Sequence, residues 1–95
     1  MDMPSMDEYA QLKEARQLLD SDSVSRRTLE LLRRQQGAAG WAIAKALDMD
    51  PETISKALRE LRSKGLIDID SVSGSGLDGF YFLTRLAYML VASAV

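Results

Sequence analysis

The 14 carboxylates of this 95-residue chain are its most numerous reactive side chains, so their spacing is where catalysis or metal binding would first show. They lie scattered or in short polar runs such as Asp20-Ser21-Asp22, with no metal-ligand spacing. Cysteine and histidine are absent, which removes thiolate nucleophiles, imidazole acid–base chemistry, Cys/His zinc sites and disulfides and leaves only hard-oxygen ligation for a metal. No P-loop or dinucleotide-binding glycine pattern occurs, and Gly74-x-Gly76 falls in a predicted hairpin. The sequence therefore predicts no enzyme, no catalytic residue, no metal and no cofactor.

What remains is charge. The 12 Lys and Arg give a net charge of −2, an unfavourable total for a nucleic-acid binder. Its distribution is more informative. Residues 24–64 hold nine basic and five acidic side chains, a local +4, whereas residues 1–23 carry −4 and residues 65–95 carry −2. A basic stretch can neutralise phosphates inside an acidic chain, because salt confines such interactions to about 8 Å.

The elements that would position these cations follow from periodicity. Asp7 to Leu19 predicts an amphipathic helix with Leu12, Ala15 and Leu19 on one stripe. The cluster Asp20-Ser21-Asp22-Ser23 offers N-caps for a second helix from Val24 to Gln36, which Gly37 is expected to stop. Val24, Thr28, Leu31, Leu32 and Gln35 form its inner side. After the loop Ala38-Ala39-Gly40 come a short helix, Trp41 to Leu47, and a longer one, Pro51 to Lys64. The longer helix has Asp50 as its expected N-cap, Pro51 at its first position and Gly65 beyond its end. Its wheel gathers Ile54, Ala57, Leu58 and Leu61 against Glu52, Ser55, Lys56, Arg59 and Ser63. The period then changes to two at Ile67 and Ile69, a strand, and Phe80 to Leu83 reads as its partner. Between them, Ser71 to Gly79 reads as a flexible tip. Thr84 is expected to cap a final helix that is apolar almost all round.

Helix, tight turn, helix, strand, glycine-rich loop, strand is the order of a winged helix-turn-helix. The core positions agree: Ile43-Ala44 at the helix crossing, Leu47, Met49 after the turn, and Ile54. With Leu58-x-x-Leu61-x-x-x-Gly65-Leu66-Ile67 and Tyr81-Phe82-Leu83-Thr84, the chain resembles the ArsR and MarR-like winged-helix transcription regulators over Val24 to Thr84, roughly two thirds of its length. The expected class is α+β, mainly α: a winged helix-turn-helix at 24–84 flanked by an N-terminal acidic helix within 1–23 and a C-terminal apolar helix within 85–95.

The resemblance implies a recognition helix at 51–64 that enters the major groove of double-stranded DNA. Thr53, Ser55, Lys56 and Arg59 are the implied base or phosphate contacts, with Arg59 or Lys56 donating to guanine and Glu52 accepting from cytosine. Trp41, Lys45, Arg62 and Lys64 are the implied backbone contacts. The bland alternative for the Lys56 face is a solvated surface with Glu52–Lys56 and Lys56–Glu60 pairs. For Trp41 it is packing against the core or a neighbouring loop.

Two departures stand out. Asp48 holds the turn position usually given to glycine, at a strain of about 1 kcal/mol. The loop 71–79 has no Lys or Arg and contains Asp78, so any contact it makes with DNA should use backbone amides and serine hydroxyls. The metal-sensing cysteines and histidines of many ArsR-type proteins are absent, so that route is not implied.

The final helix would leave Tyr88, Val91 and Val95 facing solvent once Leu83, Leu86, Ala87, Leu90 and Ala94 cover the core. Both flanking helices are therefore expected to build a homodimer, setting two recognition helices about 34 Å apart. The expected function is a homodimeric DNA-binding regulator, most simply a repressor. The rival reading is a winged-helix protein-interaction module of a larger assembly, supported by the acidic loop and by the balance of five basic and four acidic residues at 41–65. The N-terminus lacks a signal-peptide pattern, and Leu86 to Val95 is about half of the ~20 residues a membrane span needs, so a cytoplasmic protein with no membrane partner is expected. Nothing in the sequence names a small-molecule effector.

Overall fold

The computed structural model describes residues 6–70 and 76–93, with side chains over 9–70 and 76–90. Five helices and a three-stranded antiparallel sheet follow in the order α1 (Met6–Ser21), α2 (Ser23–Gln35), β1 (Ala38–Ala39), α3 (Gly40–Leu47), α4 (Pro51–Ser63), β2 (Ile67–Asp70), a 3-10 turn (Gly76–Asp78), β3 (Phe80–Leu83) and α5 (Arg85–Ser93). This is the mainly helical α+β arrangement expected. Asp22 alone separates α1 from α2, and its carboxylate accepts from Val24 N at 3.0 Å and from the Ser25 hydroxyl at 3.0 Å. Those bonds satisfy orphan donors of the first turn and bring the buried Ser25 into the interior with its hydroxyl paired.

One apolar cluster holds the elements together. Leu32, Ile43, Ile54, Leu58, Leu61 and Leu66 are fully buried, and the cluster runs without a break from Ala15 of α1 to Ala87 and Leu90 of α5. Each such leucine or isoleucine contributes about 1.5–3 kcal/mol by leaving water. The helix crossing is as predicted, with Ile43 and Ala44 buried and Leu47 and Met49 packed at its edge. Asp48 takes the left-handed conformation, φ 52°, and the Met49 N–H donates back to Ala44 O at 3.0 Å to close the turn.

Four local expectations are corrected. Helix α2 ends one residue earlier than expected: Gln36, not Gly37, is its left-handed cap at φ 58°. Gly37 serves a different need, since a Cβ there would lie 2.6 Å from the Phe80 ring. Gln35, the last residue of the helix, is exposed, and Leu29 is buried on the inner side. The expected loop at Ala38-Ala39 is strand β1, pairing with Tyr81 and Phe80 of the central strand β3. The expected flexible tip contains an ordered turn at its end, Gly76–Asp78, while Ser71 to Ser75 lie outside the described residues. Thr84 does cap α5: its hydroxyl accepts from Ala87 N at 3.3 Å and donates to Gly65 O at 2.6 Å, fixing α5 to the end of α4.

Candidate nucleic-acid interface

Helix α4 buries Ile54, Ala57, Leu58 and Leu61, and a 3.6-residue period then forces the intervening residues outward. Thr53, Lys56 and Arg59 are exposed, with Glu52, whereas Ser55 is half-buried. Together with Asp50 these five line one shallow open concavity. Neither i, i+4 pair of the bland alternative forms, and among the described residues Lys56 and Arg59 enter no ion pair. The cations are thus not consumed by neighbouring carboxylates. Asp50 stands at the N-cap position but makes no side-chain capping bond, contrary to expectation; Pro51 and the Ile54 N–H to Asp50 O bond of 3.1 Å carry the helix start instead.

Trp41 and Lys45 sit one turn apart on α3, both exposed. The Trp41 indole N–H donates to Asp78 Oδ1 at 2.9 Å, which ties the indole to the neighbouring loop while the ring stays exposed. Beside it, Gly40 N donates to Gly79 O at 3.0 Å, and a Cβ on Gly40 would fall 2.6 Å from Leu77 Cα. The Tyr81 hydroxyl donates to Gly76 O at 2.7 Å. The root of the loop is therefore bonded on one side to α3 and on the other to β3.

The remaining candidates lie toward the other end of α4. Arg62 is exposed, and its charge partly offsets the burial that raises the Tyr81 pKa. Lys64 pairs with Glu14 of α1 at 3.7 Å. On α2, Arg33 hydrogen-bonds Glu30, which lowers the Glu30 pKa and raises that of Arg33, while Arg26, Arg27 and Arg34 are exposed. The eight predicted contacts thus divide into a compact group on α4 (Thr53, Ser55, Lys56, Arg59), a pair on α3 (Trp41, Lys45) and two peripheral cations. Sequence reasoning missed Asp78 as the acceptor of Trp41, and a contact across 37 residues leaves no local pattern to read.

Among the described residues no cluster of three His, Cys, Asp or Glu could hold a metal ion, and no helix is long and apolar enough to cross a membrane. A cavity of about 240 Å³ between α1, α2 and α5 has a leucine floor of Leu19, Leu29 and Leu90. That is below the roughly 300 Å³ at which ligand pockets usually begin.

The chain matches no protein-family model and is similar in sequence to no curated protein. Solved structures do match. The antimony-specific transcriptional repressor AntR aligns with a TM-score of 0.71 and 20% identity over 99% of this chain and 83% of its own. The chain has the winged helix-turn-helix fold. A mutant of ZitR from Lactococcus lactis in its apo form aligns at 0.59 and 17% identity, covering 97% and 71%. In this winged helix the helix-turn-helix is α3 and α4, and the wing is the loop between β2 and β3. Its root is the Gly76–Gly79 segment docked on α3.

Proposed function

We propose that this chain is a sequence-specific double-stranded DNA-binding transcriptional regulator, a cytoplasmic repressor that acts as a homodimer and reads its site with α4. The observation that carries this reading is the exposed Thr53, Lys56 and Arg59 face, which forms no ion pair among the described residues, on the second helix of a helix-turn-helix. The likeness to a transcriptional repressor over nearly the whole chain supports it. Lys56 and Arg59 donate to guanine edges, Thr53 and Ser55 serve bases or phosphates, and Lys45 and Arg62 contact the backbone. Trp41 contributes its ring rather than its N–H, which Asp78 already holds. Lys64 is the weakest contact, since Glu14 competes for it.

The effector of the antimony repressor does not carry over. A soft metalloid calls for thiolate ligands, and this chain has no cysteine. Dimerisation is supported by the exposed aromatic rings of Tyr9 on α1 and Tyr88 on α5, at 66% and 49% exposure, on two helices that pack together.

Selection from a random duplex library followed by a salt titration tests the reading. Lys56→Ala or Arg59→Ala should each cost about 1–3 kcal/mol of specific binding and relax preference at one base pair. Failure to enrich any site, with affinity indifferent to salt, would sink it. In that event the rival interaction module gains, its support being the near-neutral balance of residues 41–65.

A further inference from the structure

We propose that Asp78 both fixes the wing and restrains affinity for DNA: Trp41 holds its carboxylate at the edge of the interface, where the charge opposes phosphate. The inference rests on the DNA-binding reading above. Asp78 is the one charged residue of the loop 71–79. Its Oδ1 accepts from Trp41 Nε1 at 2.9 Å, although both residues are exposed and either could instead be satisfied by water.

Three contacts around it hold the bond in place. Gly40 N donates to Gly79 O at 3.0 Å, Gly79 N donates to Gly76 O at 3.2 Å, and the Leu77 backbone occupies the space that a side chain on Gly40 would fill. The loop backbone is thereby held beside α3, whose exposed side carries Trp41 and, one turn on, Lys45, and the indole N–H keeps the carboxylate there. Latching needs only an acceptor oxygen, which asparagine also provides. The formal charge adds nothing that the latch requires, and its effect is repulsion of an approaching phosphate within a screening length.

The two roles separate experimentally. Asp78→Asn keeps the acceptor and removes the charge, so it should bind the selected duplex about three- to tenfold tighter at low salt, with the gain shrinking as salt rises. Its Trp41 emission should match that of the wild type. Trp41→Phe keeps the charge and removes the donor, so backbone amide exchange at residues 77–79 should quicken by about tenfold. Unchanged or weaker duplex binding by Asp78→Asn overturns the restraint, and unchanged exchange in Trp41→Phe overturns the latch. A wild-type chain that binds no duplex removes the DNA-binding reading and the restraint with it. The exchange measurement decides the latch in either case.

Discussion

At the scale of single residues, Tyr81 joins stability to the wing. Its ring is buried in the core, and its hydroxyl donates to Gly76 O at the wing root. Burial raises its pKa above the ordinary value of 10.0, and the Arg62 charge offsets part of that rise. The folded state therefore retains this proton to higher pH than the unfolded chain does. Its contribution is complete below pH 10 and is lost as pH rises through the folded pKa. Tyr81→Phe should cost about 0.5–1.5 kcal/mol at pH 7 through the missing hydrogen bond. In urea melts across pH, that deficit should narrow above about pH 10, where only the wild type pays for burying a phenolate. The exposure of Thr53, Lys56 and Arg59 was legible in the sequence, since one helical period assigns inside and outside together. So was the left-handed Asp48, because the helix-turn-helix pattern marks that position. The Trp41 to Asp78 bond was not legible, because neither residue alters any period around the other.

Among the elements, the contact between α3 and the wing root depends on an absent side chain. Gly40 begins α3, where helix propensity alone would favour alanine by up to about 1 kcal/mol. A Cβ there would meet Leu77 Cα at 2.6 Å and Leu77 O at 2.8 Å, and backbone atoms cannot yield as a flexible side chain can. The steric term wins, so Gly40→Ala should destabilise the fold by about 1–3 kcal/mol in equilibrium denaturation. Crowding of the Leu77 backbone should also loosen the Trp41 bond and change the indole emission. The helices and the two longer strands were readable from composition and period. Strand β1 was not, because two alanines are shorter than the alternation that defines a strand, and only β3 makes them one. The stop at Gln36 was misplaced for a related reason. A glycine next door looks like the natural cap, but Gly37 is reserved for the Phe80 ring.

For the whole molecule, the proposed dimer is tested at Tyr88, which is exposed on α5 while Ala87 and Leu90 of the same helix are buried. Tyr88→Glu would place a charge in an apolar contact. It should weaken self-association by roughly 1–3 kcal/mol, shift sedimentation toward the monomer and lower duplex affinity, while the circular dichroism of the fold stays unchanged. Of the residues expected on that face, Val91 and Val95 have side chains outside those described. The sheet order β1-β3-β2 has a further consequence, for folding. Ala38 and Ala39 lie before the helix-turn-helix, and their partners Phe80 and Tyr81 lie after the wing, so this pairing closes one loop around the helix-turn-helix and its wing. The entropy of closing that loop must be met before the pairing forms. A nascent chain that has not yet supplied β3 can form its helices but not the frame that holds them, so the helix-turn-helix and its wing are gained, and lost, in one cooperative step.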